Sequence, residues 1–132
     1  VIEHTRDFRR VVKLAPWPIR LGPECHYLLE VAGGEDVGLW FFEPLGADMS
    51  VHVVMTDKCR GLRAKESGKA AFDWVFRHTD TESILAAIDS SRKDVAALAR
   101  ALGFNFLFSD KAGQRHYRID RHRLASKVEC SV

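Results

Sequence analysis

The sequence predicts an α/β (α+β) domain: a mixed, mostly antiparallel central sheet flanked by helices on both faces. Three observations predict it. Two apolar runs, His26–Ala32 and Val37–Glu43, are separated by Gly33-Gly34-Glu35-Asp36, a strong hairpin signal. A β-branched run, Ser50–Met55, passes through a basic turn directly into a helical stripe that lasts to Phe76. A further strand, helix and hairpin follow between Ser83 and Asp120. At 132 residues the chain fits one domain, 1–132, built on a single core.

Taken in order, Val1–Leu14 carries a weak helical pattern with Phe8, Val11, Val12 and Ala15 on one side, and Pro16 and Pro18 around Trp17 stop it. Ile19–Glu24 reads as a connecting loop, and the two runs of the hairpin follow. Trp40 and Phe42 share one face of the second run and Phe41 the other; in a sheet covered on both sides this is core, with an apolar wall for a ligand as the functional alternative. Pro44–Asp48 leads into the central strand Ser50–Met55. Beyond the basic turn Thr56–Gly61, the residues Ala64, Gly68, Ala71, Phe72, Val75 and Phe76 recur at spacings of three and four, which is one apolar stripe facing a sheet. Trp74 lies off that stripe and is a candidate for covering a helix neighbour or for a homodimer contact.

Asp80-Thr81-Glu82 is a polar turn and Ser83–Ile88 a short buried strand. Asp89-Ser90-Ser91 offers N-cap chemistry for a helix whose stripe is Val95, Leu98, Ala99 and Leu102, and Gly103 ends it. Phe104–Phe108 and Arg115–Asp120 form a closing hairpin around the turn Asp110–Gly113, and the tail from Arg121 is polar and expected to be poorly ordered.

Bulk composition excludes several classes. Hydrophobic content of 46% and charged content of 29% are those of a globular protein, and no apolar run approaches the roughly 20 residues a membrane span needs. The opening VIEHTRDFRR is charged where a signal peptide is apolar. Cys25, Cys59 and Cys130 are odd in number with no C-x-x-C pair, and the six histidines show no ligand spacing on a helix face. These counts argue against a disulfide scaffold or a metal site and for a reducing, cytoplasmic setting. A net charge of +2 argues against nucleic acid as partner.

The chemistry concentrates at the strand-turn-helix unit. A helix that starts directly after a strand aims its unpaired N–H groups and the positive end of its dipole past the strand's carboxyl end, where phosphate-bearing ligands sit. Lys58, Arg60, Arg63 and Lys65 add charge there. The alternative is an ordinary strand-loop-helix unit with a solvated basic turn.

This order of elements resembles the GNAT acetyltransferase superfamily over roughly Tyr27–Asp120. In that family the fourth strand runs into a loop of the form Gln/Arg-x-x-Gly-x-Gly/Ala, whose amides hold the diphosphate of acetyl-CoA; Arg60-Gly61-Leu62-Arg63-Ala64-Lys65 falls on that loop. The family's next strand, an Asn-x-x-Ala helix start and a Leu-Gly-Phe helix ending correspond to Ile84–Ile88, Arg92–Val95 and Leu102-Gly103-Phe104. The histidine in the central strand and the short N-terminal part look most like small phage-encoded GNAT-like proteins, which would place the protein in a host cytoplasm. The resemblance implies an N-acetyltransferase that moves an acetyl group from acetyl-CoA, its cosubstrate, to an amine on a small molecule or a protein. It also implies that the cofactor is held by Val53, Val54 and Met55 and by Arg60, Gly61, Leu62, Arg63, Ala64 and Lys65.

Departures accompany the match. Arg63 and Lys65 stand where the family prefers small residues, and Arg92 replaces the usual asparagine. Ala99 stands where many members carry the tyrosine that protonates the departing thiolate, so another donor is needed; Ser91, with Ser90 and Cys59, is the nearest by sequence. For the base that takes the amine's proton the candidates are His52, Asp48 and Glu43, His52 foremost because its ordinary pKa lies near neutrality. The competing reading of His52 is a structural histidine hydrogen-bonded beneath a helix. Ala99 and the lost glycines also support a GNAT-fold protein without catalysis, serving binding, phage assembly or host interaction. A third reading, nucleic-acid binding through the basic loop and Arg115–Arg123, would show a steep salt dependence.

Overall fold

The computed structural model describes residues 1–121; the tail expected beyond Arg121 lies outside the described residues. The elements are β1 (Ile2–His4), α1 (Phe8–Leu14), β2 (His26–Ala32), β3 (Glu35–Leu45), β4 (Asp48–Met55), α2 (Leu62–His78), β5 (Ser83–Asp89), α3 (Lys93–Ala101), β6 (Asn105–Ser109) and β7 (Gln114–Asp120). The seven strands form one sheet in the order β1-β2-β3-β4-β5-β7-β6. Every neighbouring pair is antiparallel except β4 and β5, which run parallel with α2 as their crossover. The predicted fold class is the observed one.

The single helix expected over Val1–Leu14 is two elements. Ile2–His4 pairs with Leu28–Glu30 as an edge strand, and the helix starts only at Phe8. Asp7 is the reason for the break: its side chain accepts the Arg9 N–H at 3.2 Å and caps the helix, while its own N–H donates to Thr5 Oγ1 at 3.0 Å. Arg10 holds the pieces together by pairing with Glu3 of β1 at 2.7 Å and Asp36 of β3 at 2.6 Å.

Strand alternation sorts the aromatics as expected. Trp40 and Phe42 join Phe72, Val75, Phe76, Ala99 and Phe104 in the larger core, under α2 and α3. Phe41 joins Tyr27, Leu29, Leu39 and Val11 in a second core, under α1. All six stripe residues of α2 are buried, and so is Ser67, which accepts the Trp40 indole N–H at 2.8 Å. Gly68 lets α2 come close: a Cβ there would lie 2.7 Å from Leu102 Cδ1 and 3.0 Å from the Trp40 ring. Burying side chains the size of Phe72 stabilises the fold by about 1.5–3 kcal/mol each.

Three smaller expectations change. Phe104 precedes β6 rather than opening it; its N–H bonds to Ala99 O at 3.0 Å and its ring is buried, whereas Phe106, Leu107 and Phe108 on the edge strand are exposed. Trp74 stacks on His4 and His78 with ring centroids 4.3 Å apart in each case, so it bridges α2 to β1 within one chain. Arg121, expected to begin a loose tail, donates to Thr79 O at 2.7 Å and Thr81 O at 2.8 Å and also to Phe76 O, closing the C-terminal end of α2. Among the described residues no helix is long and apolar enough to cross a membrane, and no group of three potential ligands could hold a metal ion.

Candidate functional site

The site begins where the sheet opens. β4 and β5 pair only through Met49–Ile84 and Ser50–Leu85, and beyond these their carboxyl ends diverge. The register with β3 fixes which backbone groups face the gap. Thr56 donates its N–H to Val37 O at 3.0 Å, so along the alternating antiparallel ladder Val54, His52 and Ser50 turn their amides to β3. Val51, Val53 and Met55 therefore turn theirs towards β5, and of these Val53 and Met55 lie beyond the last paired residues and face the opening.

Beside this gap lies a cleft of about 820 Å³ between the start of α2 and α3. Val53, Val54, Met55, Arg60, Gly61, Leu62, Ala64 and Lys65 line it, which is eight of the nine predicted cofactor residues. Gly61 is the N-cap of α2, at φ 61° and ψ −128°, a conformation that only glycine adopts without strain. Among the described residues no side chain caps the helix there and a Cβ at Gly61 would meet nothing within 4 Å, and no acidic residue occupies the helix's first turn. The first amides of α2 are thus exposed to the cleft with the positive end of the helix dipole behind them. Arg60, Lys65 and Arg92 bring cationic side chains, partly offset by Asp94, which pairs with Arg92 at 3.2 Å. Arg63 is the one predicted residue that does not line the cleft: its guanidinium turns back to donate to Lys58 O at 3.2 Å.

A second pocket of about 270 Å³ occupies the opening between β4 and β5 and runs under α3. His52 and Ala99 both line it. His52 faces the α1 side of the sheet, where its Nε2 lies 3.1 Å from Glu43 Oε1 and its ring stacks on Phe41. With 43% of its side chain exposed it is no buried structural histidine beneath a helix. Ser91 lies outside both pockets; its Oγ donates to Asp89 Oδ1 at 2.7 Å, and this bond with that of the Ser91 N–H holds the Asp89 carboxyl below its usual range. Cys59 does line the wider cleft, but its thiol is buried against Val37 and Ala64 and burial pushes its pKa up. Asp48 lines neither pocket.

Several residues belong to the site that the sequence did not assign to it, Trp17 and Arg92 among them. Trp17 and Arg92 line both pockets and so stand where one passes into the other. The prolines around Trp17 read only as helix breakers, although an exposed tryptophan in such a loop was a signal. Arg92 was visible only as a departure from a motif, and its place as N-cap of α3 gives it its direction.

No protein-family model matches this sequence, and no curated protein matches it in sequence. Solved structures do match in shape. Mutant forms of the spermidine/spermine N-acetyltransferase SpeG from Vibrio cholerae superimpose with a TM-score of 0.79 over 96% of this chain and 98% of theirs, at 12% identity. The N-acetyltransferase PseH of Campylobacter jejuni, solved in complex with acetyl coenzyme A, gives 0.65 over 75% of this chain and 70% of its own, at 12% identity. The ribosomal-protein-S5-alanine acetyltransferase of Vibrio fischeri gives 0.68 at 15% identity over 74% of this chain, which spans 62% of that protein's length. Identities this low establish shared architecture: the fold is that of the GNAT acetyltransferases.

Proposed function

We propose that the protein is an N-acyltransferase of the GNAT type, with acetyl-CoA as the donor its resemblance implies and an amine as acceptor. One observation carries this reading: the sheet opens after Ser50–Leu85, and the opening is continuous with a cationic cleft at the uncapped start of α2. The residues present suit a diphosphate, because the open space at Gly61 and the free first-turn amides match an anion at a helix N-terminus. Arg60, Lys65 and Arg92 would add charge to that hold.

Acetyl-CoA supplies an acyl group activated as a thioester, so the net exchange replaces a C–S bond by a C–N bond and carries one proton from nitrogen to sulfur. The chain's part is to place and polarise. The Val53 N–H, turned into the opening, is positioned to donate to a carbonyl oxygen there. His52, fixed by Glu43 on one ring nitrogen, can accept a proton from an incoming amine directly or through one water. Trp17 and Trp40 screen the opening from bulk water. With Ala99 in the wall, the proton for the sulfur comes from solvent. Calorimetric titration with CoA and acetyl-CoA tests the reading; micromolar binding is expected, and no heat at millimolar ligand removes it.

Ala99 favours a second reading, a coenzyme-binding protein without catalysis. CoA binding with no transfer to a broad amine panel would select it.

A further inference from the structure

The pocket beneath α3 has walls unsuited to a polar ligand. On the side facing the larger core it is lined by Val53, Ala86, Ile88, Leu98, Ala99 and Phe104, among others. The Trp40 indole N–H, a polar group in that wall, is already given to Ser67 at 2.8 Å. The ionisable residues that line the pocket stand at its margins: His52 on the opposite face of β4, Asp89 at the last position of β5, and Arg92 at the N-cap of α3. A polar acceptor pushed to the far wall would give up water for nothing in return.

The space exists because two small side chains stand in facing walls. Ala86 of β5 and Ala99 of α3 both line the pocket, where larger residues would fill it. Its volume of about 270 Å³ exceeds the roughly 150 Å³ of an apolar protein cavity that takes up benzene. It is also continuous with the coenzyme cleft, since Trp17, Val53, Arg92, Val95 and Leu98 line both. Whatever comes along the cleft from the start of α2 and past the Val53 amide meets this apolar space next.

We propose that this is an acyl-chain pocket, and that the preferred donor carries an acyl group longer than acetyl, of about six carbons. The inference rests on the acyltransferase reading above and narrows its substrate class. Ala86 and Ala99 set the chain length, and the hydrophobic effect supplies the selectivity: moving one methylene from water into an apolar site is worth roughly fourfold in affinity. Chain ordering reduces that gain.

The experiment is a calorimetric series on the full chain with CoA and its acetyl, butanoyl, hexanoyl, octanoyl and palmitoyl thioesters. Affinity is expected to rise from acetyl to about hexanoyl, by roughly tenfold or more, and then to stop rising. Ala99→Phe should bring the hexanoyl-to-acetyl affinity ratio to about one, and Ala86→Leu should do the same from the opposite wall, with thermal melts showing that each variant is folded. Equal affinity for acetyl and hexanoyl thioesters overturns the pocket assignment while leaving the acyltransferase reading intact. A gain that continues undiminished to palmitoyl also overturns it, as adsorption to exposed surface. Failure of CoA itself to bind removes both.

Discussion

Ser50 and Leu85 are the last pair through which β4 and β5 face each other. Beyond that pair, the amides of Val53 and Met55, which also turn away from β3, have no partner strand to meet. A break in pairing in mid-sheet costs hydrogen bonds, and those polar groups are left facing a pocket rather than solvent-filled loops. Strands that pair to their ends would have no room for a ligand between them. The site is therefore a property of how two strands part, and the residues around it set what it can hold.

Gly61→Ala should weaken CoA binding by roughly tenfold or more and lower stability by about 1–3 kcal/mol, because its φ of 61° is strained for any side chain. Calorimetry and urea denaturation measure the two effects. Wild-type affinity in a folded variant would detach the start of α2 from the diphosphate.

Neighbouring cations should differ sharply. Lys65→Ala is expected to cost about fivefold in CoA affinity at low salt, with the loss shrinking as ionic strength rises. Arg63→Ala should change it by less than about twofold, since that side chain turns to the Lys58 carbonyl away from the cleft. Isotherms at two salt concentrations compare them.

His52→Ala should lower transfer to an amine by roughly 10²–10⁴-fold, chiefly in kcat, and Glu43→Gln by less. Steady-state kinetics at several pH values check this. A His52→Ala enzyme with an unchanged kcat would remove the residue from proton transfer.

Acid should loosen the contact between β1 and α2. His4 and His26, grouped about Trp74, both have their pKa lowered, first by burial and then by neighbouring cations, namely Arg6 and His78 for both and also His4 for His26. His26 Nδ1 is buried without a hydrogen-bond partner among the described residues. A depressed folded-state pKa means that the unfolded chain takes up protons first, so this stability is complete above the ordinary histidine value near 6.5 and is lost as pH falls through the lower folded value. Denaturation midpoints should be level at pH 7–8 and drop below about 6.5. His26→Phe should flatten that slope, and a slope unchanged in the variant would place its origin elsewhere.

Arg121→Ala should destabilise the fold by about 2–3 kcal/mol, a fall in Tm of about 7–10 °C, because the carbonyls of Phe76, Thr79 and Thr81, at and just past the end of α2, lose a charged donor. Arg121→Lys should recover only part, because one ammonium cannot reproduce the guanidinium fork. Thermal melts of the two variants decide it.

Much of the framework was legible because it rests on period and punctuation. Gly33-Gly34 marked the hairpin, the three-and-four spacing from Ala64 to Phe76 marked the buried face of α2, and Trp40, Phe41 and Phe42 divided between two cores by strand alternation alone. β1 escaped notice because three residues with mixed character carry no period of their own; only pairing with β2 makes Ile2–His4 a strand. Arg121 escaped for a similar reason, since its value lies in carbonyls some forty residues away in sequence.

The site divides along the same line. Local sequence determined a glycine with cations at the joint between a strand and a helix, because a left-handed turn and an uncapped helix start are short-range matters. Tertiary structure alone decided that β4 and β5 part after Ser50–Leu85, that Arg63 turns away while Arg92 turns in, and that Ala86 and Ala99 leave a space between them. Those outcomes depend on how distant segments pack against each other, and the geometry of packing is not written in any window of neighbouring residues.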